Sequence, residues 1–429
     1  MKKAAFHMMT ALLAIGLMFG ANLAQAQAGS LDTTFGTGGT VTTNFADGVA
    51  GVGAFEQSNG DIVAVAQVNF VNNVGTGIGL VRYTSAGELD TTFGTNGITV
   101  TTFAGIAFDP FGFAVQKNGD ILIGGVATTT PGLNKIGLAR YTSNGVLDTT
   151  FGTNGLVTTK VGTRSDAPSA LLLQPNGQIV MGGFEVAGGN IPGMMSLVRY
   201  NSNGTLDTTF GNGGLSLANV PFLGPETLAL LSNGDYLAVG QDGNGNTGIV
   251  AEFSSKGVLL SKVTSAKVVA ALSSSQSAVP NVMFQSPTIF QPNGDYVVAT
   301  TGCTFHSQCR GTRIGVTRFL ETGKTDTTFT AKVESFNPRQ TTSVALAVAL
   351  QANGQIVVGG LITPTFGGMV RLDSNGELDT TFGTVDSFGI CCSVTSDQTF
   401  SGLLIETDGK IVAIGGLDGD LALARYLAN

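Results

Sequence analysis

The sequence predicts an all-β protein, a seven-bladed β-propeller of four-stranded blades whose last blade is closed by the N-terminal strand. Three observations predict it. A unit of about 58 residues recurs seven times along the 429-residue chain. Each unit carries two hairpin signals, and therefore four strands. The repeats are out of phase with the chain ends, as a ring closing on a split blade requires.

The first landmark of each unit is a tight turn ahead of a β-prone run. It falls at Asn59-Gly60, Asn118-Gly119, Asn176-Gly177, Asn233-Gly234, Asn293-Gly294, Asn353-Gly354 and Asp408-Gly409, in steps of 55 to 60 residues. Asn-Gly and Asp-Gly favour the positive-φ conformations of short hairpin turns. Runs such as Ile179-Val180-Met181 and Tyr296-Val297-Val298 follow and suit strands. The second landmark is an arginine, at Arg82, Arg140, Arg199, Arg318, Arg371 and Arg425, with Glu252 in the fourth copy. Where the chain continues, Leu-Asp-Thr-Thr-Phe starts seven residues later. Its copies start at Leu31, Leu89, Leu147, Leu206 and Leu378, with degenerate copies at Leu259 and Thr325. In the third copy the four strands are expected at 170–174, 178–182, 196–200 and 206–210. Apart from the leader, no segment shows a 3.6-residue apolar period.

The phase of the repeats decides between a ring and a line. Leu31-Asp32-Thr33-Thr34-Phe35 reads as a fourth strand with no first three before it. Arg425-Tyr426 ends a third strand with no fourth after it. The two fragments make one blade, which places Asp32 beside Arg425. Radial repetition leaves only short, protected sheet edges. A linear solenoid, the alternative, needs capping repeats at both ends.

Residues 1–26 are expected to be a secretory signal peptide. Lys2 and Lys3 form its positive start, Ala11 to Met18 its short apolar stretch, and Ala24-Gln25-Ala26 an A-x-A cleavage pattern. Residues 27–429 then form a single propeller of seven such repeats, with no second domain. No later run reaches the ~20 apolar residues that span a bilayer. The destination is expected to be periplasmic, cell-surface or secreted. Without Lys2 and Lys3 the chain holds 19 basic and 29 acidic residues. That balance, with no basic patch, excludes nucleic acid as a partner. Gly is abundant at 62 residues and charged residues are scarce at 12%, which fits a β-rich chain with many turns.

Gln174-Pro-Asn-Gly-Gln-Ile-Val, followed by Leu197-Val-Arg-Tyr-Asn-Ser-Asn-Gly-Thr-Leu-Asp-Thr-Thr-Phe-Gly, resembles the delta-60 repeat family of bacterial propellers. The resemblance spans nearly all of 27–429. The fourth copy departs most, with Glu252, Phe253 and Leu259-Leu260. It implies a propeller in exported or surface bacterial proteins, with no known activity and no catalytic residue to carry across.

The recurring acids Asp32, Asp90, Asp148, Asp207, Asp326 and Asp379 could be calcium ligands, since Ca²⁺ takes carboxylate oxygens. Each stands alone in its blade, however. Every copy that keeps the arginine keeps the aspartate, and the copy with Glu252 carries Leu260 at the aspartate position. Structural cross-strand pairs explain the joint loss: Arg82 with Asp90, Arg140 with Asp148, Arg199 with Asp207, Arg318 with Asp326, Arg371 with Asp379, and Arg425 with Asp32. The threonines after each aspartate, such as Thr149-Thr150, have no neighbouring base and read as strand residues.

His306 is the one imidazole outside the leader, in Cys303-Thr-Phe-His306-Ser-Gln-Cys309. Two cysteines and one histidine fall short of a zinc site. In an exported chain a disulfide is the default, so Cys303 and Cys309 are expected to pair. Adjacent Cys391 and Cys392 could form a vicinal disulfide, pair elsewhere or stay free; four cysteines allow three connectivities. Gly-rich 243–248 follows no strand-to-helix pattern and is turn material. Neither a metal nor another cofactor is expected, and no catalytic residue is assigned.

Loop length varies most between the second and third strands and in the links between blades. These share one face, and function concentrates on loops held by a rigid scaffold. On the expected ligand face the fifth blade contributes most, with Phe305, His306, Arg310 and Arg313, and the sixth link adds Asp386, Phe388, Cys391 and Cys392. The functional expectation is a monomeric, non-catalytic protein- or glycan-binding scaffold at the bacterial cell envelope or outside it. A propeller hydrolase or lyase, and a purely structural surface protein, stay open as alternatives.

Overall fold

The computed structural model describes residues 27–45, 48–69, 76–130, 133–163, 165–185, 193–242, 248–265, 288–303, 312–322, 324–329, 344–361, 367–383, 393–396 and 399–428. The architecture is an all-β, seven-bladed propeller. Blade one is β2 (Val49–Glu56), β3 (Ile62–Asn69), β4 (Thr76–Tyr83) and β5 (Ile98–Thr101). Blade two is β6 (Ala107–Val115), β7 (Ile121–Thr130), β8 (Leu133–Tyr141) and β9 (Leu156–Thr159). Blade three is β10 (Asp166–Leu173), β11 (Ile179–Glu185), β12 (Gly193–Tyr200) and the start of β13 (Leu215–Leu230). β13 runs on without a break as the first strand of blade four, so the two blades share one seven-stranded sheet. Blade four continues with β14 (Tyr236–Asp242), β15 (Gly248–Phe253) and β16 (Leu259–Ser265).

Among the described residues blade five has β17 (Thr288–Phe290), β18 (Tyr296–Cys303) and β19 (Thr312–Phe319). Blade six is β20 (Val344–Leu350), β21 (Ile356–Leu361), β22 (Gly367–Leu372) and β23 (Ser393–Ser396). Blade seven is β24 (Thr399–Ile405), β25 (Ile411–Leu417) and β26 (Asp420–Tyr426), completed by β1 (Thr40–Thr43). Antiparallel pairing of Thr40 with Ala424 through Thr43 with Leu421 closes the ring. No helix of the described residues is long and apolar enough to cross a membrane.

Burial follows each strand's place in its blade. The second strands are apolar on both faces, as in the run Ile62-Val63-Ala64-Val65-Ala66, where every residue is fully buried. Each face packs on a neighbouring blade, so alternation disappears. The innermost strands alternate, as in β20, where every second residue is buried. The core therefore lies between blades. One cluster joins Val63, Val65, Ile78 and Leu80 of blade one to Phe108, Ile121 and Ile123 of blade two.

The structure corrects the expected fourth strand. Leu206–Phe210 is not a strand; the strand begins at Leu215. The same shift recurs in other blades, with β5 beginning at Ile98 and β9 at Leu156. Leu-Asp-Thr-Thr-Phe instead opens a loop that bulges out of the outer edge. In blade one both ends of the loop are held by one residue: Asp90 N donates to Arg82 O at 3.0 Å, and Arg82 N donates to Gly97 O at 3.1 Å. Gly94, Asn96 and Gly97 take φ of 53°, 54° and 93° within it, a region that glycine and asparagine enter at least cost.

Candidate functional site

The loop and the arginine form a latch between blades. Asp90 turns the chain: its Oδ1 accepts from Thr92 N at 2.9 Å and Thr92 Oγ1 at 2.7 Å. The turn drives Phe93 into the core, where it is fully buried. Arg82 lies with its guanidinium carbon 4.9 Å from the centre of the Phe93 ring and Nη2 2.7 Å from Asp90 Oδ2. The same stack recurs at Arg140 over Phe151, Arg199 over Phe210, Arg318 over Phe329, Arg371 over Phe382 and Arg425 over Phe35, at 4.5 to 4.8 Å. The ion pairs recur at 2.7 to 2.9 Å between Arg140 and Asp148, Arg199 and Asp207, Arg318 and Asp326, Arg371 and Asp379, and Arg425 and Asp32. Each aspartate sits at the base of a loop and not on a strand, so the pair staples the loop rather than two strands. The paired threonine hydroxyl caps the turn.

Each arginine also reaches the next blade. Nη1 donates to the turn carbonyl of Ser143 from Arg82, Ser202 from Arg140, Ser255 from Arg199 and Ser374 from Arg318. Arg371 reaches Ala428 O, and Arg425 reaches Ser85 O across the closure. The loop phenylalanine lies beneath that same turn. A Cβ on Gly204 would sit 2.8 Å from the Phe151 ring, so glycine permits the approach.

These contacts set the carboxylate chemistry. The Thr hydroxyl bond, ahead of the Arg, holds Asp90, Asp148 and Asp326 below the usual carboxylate value. Burial pushes Asp32, Asp207 and Asp379 up, and the Thr bonds and the arginine together more than reverse it. Glu406 takes the place held by Gln57 in blade one and Gln351 in blade six. It is 6% exposed, and Oε1 lies 3.5 Å from Arg425 Nη1. Burial pushes its carboxyl up to about 7, against the pull of Arg425.

One seam breaks the pattern. In blade four Glu252 pairs with Leu237 as Arg199 pairs with Val180. The run Leu259-Leu260-Ser261 has no aspartate or glycine to turn the loop. β15 and β16 therefore meet directly, with Glu252 opposite Ser261 and a register shift at Leu260. A cavity of about 310 Å³ opens there between blades four and five, lined by Leu231, Leu237, Val250, Glu252, Ser261 and Glu321, among others. The departures at Glu252 and Leu260 were the sequence signal for it, but nothing local announced a cavity.

Phe305, His306, Cys309, Arg310, Asp386, Phe388, Cys391 and Cys392 lie outside the described residues. The Cys303 and Arg313 backbones pair with Thr312 and Gly302, while their side chains are likewise outside. Among the described residues no group of three or more His, Cys, Asp or Glu could hold a metal ion.

Residues 57–93, 116–151, 174–210 and 351–382 match the family model described as a domain of unknown function (DUF5122) beta-propeller. Each matched segment begins at Gln57, Gln116, Gln174 or Gln351 and ends at or beside the loop phenylalanine, so it spans one latch. No curated protein matches the chain. The polysaccharide lyase Uly1 aligns at a TM-score of 0.47 and 10% identity, covering 95% of this chain and 94% of that one. A protein of unknown function from Dyadobacter fermentans DSM 18053 aligns at 0.44 and 8%, covering 91% and 98%. The β-propeller domain of the trilobed protease from Pyrococcus furiosus aligns at 0.42 and 7%, covering 89% and 94%. At these scores no activity carries over.

Proposed function

We propose that the chain is a non-catalytic binding module of the delta-60 type, exported through a signal peptide at 1–26, that holds a protein or glycan partner at the bacterial cell envelope or outside it. One observation carries this reading. At six seams the recurring charged side chains are tied up in latches: each guanidinium is sandwiched between a phenylalanine, an aspartate and the next blade's turn. Catalysis needs acids and bases converging on one open point. Charges neutralised pairwise around a rim stiffen a scaffold instead, and a stiff scaffold lowers the ordering cost of binding. The variable loops between second and third strands and between blades would then give the partner its surface.

The test incubates the full mature chain with a glycan array and, separately, with envelope extracts, and follows any captured partner by titration with the purified molecule. A saturable one-to-one complex without turnover is expected. Measurable turnover in a hydrolase and lyase panel, abolished on mutating a single residue, would overturn the module.

A further inference from the structure

We propose that the seam between blades four and five is a binding site for a guanidinium group, the arginine side chain of a partner protein, received by Glu252 and Glu321, which line the cavity there, and reaching the hydroxyl of Tyr296 buried beside it as Arg199 reaches that of Tyr236. The chain itself defines what this place accepts, since a guanidinium fills the equivalent position at the six other seams.

The neighbouring seam shows the full arrangement. Arg199 Nη1 donates to the hydroxyl of Tyr236, the first residue of β14, at 3.1 Å. Tyr236 in turn donates to Gln174 Oε1 at 3.1 Å. One seam on, Tyr296 opens β18 as Tyr236 opens β14. Its two partners have gone: Glu252 stands for the arginine and Leu231 for the glutamine. Tyr296 is fully buried, and among the described residues its hydroxyl has no hydrogen-bond partner. Tyr296 packs with Leu237 and Val250 in one cluster, with Leu231 against it, and all three of those apolar residues also line the cavity. A buried polar group left unpaired is costly and calls for an explanation.

Charge at the seam is inverted. Glu252 and Glu321 line the cavity, and among the described residues no Lys or Arg does. Glu321 occupies the turn position held elsewhere by Ser143, Ser202, Ser255 and Ser374, whose carbonyls receive the guanidinium. Leu231, Leu237 and Val250 offer an apolar wall for a methylene stem, which long cationic side chains bury readily. A planar fork of donors can serve two carboxylates and a hydroxyl together, which a compact ammonium cannot do as well. Two carboxylates on an apolar wall make a poor metal site. The cavity volume of about 310 Å³ is at the small end of ligand pockets, which run from about 300 to 1,000 Å³.

The site rests on the ring being a binding module, and the two fail separately. The experiment titrates the full mature chain by calorimetry with Nα-acetyl-arginine N-methylamide, and with the lysine and citrulline amides as controls. Saturable one-to-one binding is expected for arginine, at least ~5-fold tighter than for lysine, with none for citrulline. Glu252→Gln and the exposed Glu321→Gln should each weaken binding ~10-fold. Glu252→Arg should abolish it by filling the seam from within. Tyr296→Phe should weaken binding ~3-fold without lowering the melting temperature of the free protein, which a purely structural tyrosine would lower. Absence of saturable binding up to tens of millimolar overturns the site, as does binding indifferent to both glutamate substitutions. Tighter binding of free L-arginine than of the amide overturns the protein source. A captured partner indifferent to Glu252→Arg overturns this site while leaving the module standing.

Discussion

Arg425 and Asp32, 393 residues apart in sequence, close the ring: Nε and Nη2 of the arginine both lie 2.9 Å from Asp32 Oδ2. Both side chains are nearly dry, at 5% and 6% exposure. Removing one partner of such a pair strands the other charge, at a cost of about 3–5 kcal/mol. Asp32→Ala is expected to destabilise by that order and to free the N-terminal strand β1. Urea unfolding with hydrogen exchange at Thr40–Thr43 checks it. Arg140 and Asp148 are wetter, at 14% and 16%, so Asp148→Ala should cost less.

The loop phenylalanines hold the seams through packing. Phe151 is fully buried beneath Arg140 and the Gly204 turn. Phe151→Ala should cost about 3–5 kcal/mol, since the cavity cannot collapse against a closed ring. Leu260→Ala, at a position 53% exposed in the seam that lacks a loop, should change stability by less than about 0.5 kcal/mol. Chemical denaturation of the two variants gives the comparison.

Glu406 makes the closure pH-sensitive. Its folded carboxyl is raised from 4.5 to about 7, so the folded state holds its proton more tightly than the unfolded chain. Its cost is absent below pH 4.5, grows as pH rises from 4.5 to 7, and is complete above 7. Glu406→Gln restores the residue type of the other latches. It is expected to stabilise the protein at pH 8 by about 2–3 kcal/mol and to be neutral at pH 4. Melting temperatures of both proteins across that range decide it.

The latch aspartates act in the opposite sense. Their folded carboxyls lie below the ordinary 3.8. Their contribution is present above 3.8 and is lost as pH falls through the lowered folded values. Asp148→Asn should therefore flatten the acid limb of the stability curve and leave its shape between pH 5 and 8 unchanged. Acid titration followed by circular dichroism shows whether it does.

Much of the ring was legible in the residues because propeller information is local and repeated. Asn-Gly turns, apolar second strands and the joint loss of Arg and Asp at Glu252 and Leu260 each report on a few neighbouring positions. The fourth strand was misplaced at Leu206–Phe210 for a physical reason. Leu-Asp-Thr-Thr-Phe has strand composition, but Asp90 and its counterparts spend a carboxylate oxygen on capping a turn, and the glycines that follow allow the chain to double back. The residues expected at the ligand face lie, apart from the Arg313 backbone, outside the described residues; the cavity beside Glu252 is a separate feature that opens at the latch face.

The amino-acid sequence by itself determined the number of blades, the split seventh blade and the partnership of each arginine with its aspartate, because all of these follow from the period and phase of short motifs. Only the tertiary structure decided that each arginine also grips the next blade. Only there does Glu252 in the arginine's place coincide with a Tyr296 hydroxyl that has no hydrogen-bond partner among the described residues, and with a cavity lined by its neighbours Leu231, Leu237 and Val250. Those relations join residues about one repeat apart, such as the 62 that separate Arg140 from Ser202. They exist only once neighbouring blades pack face to face.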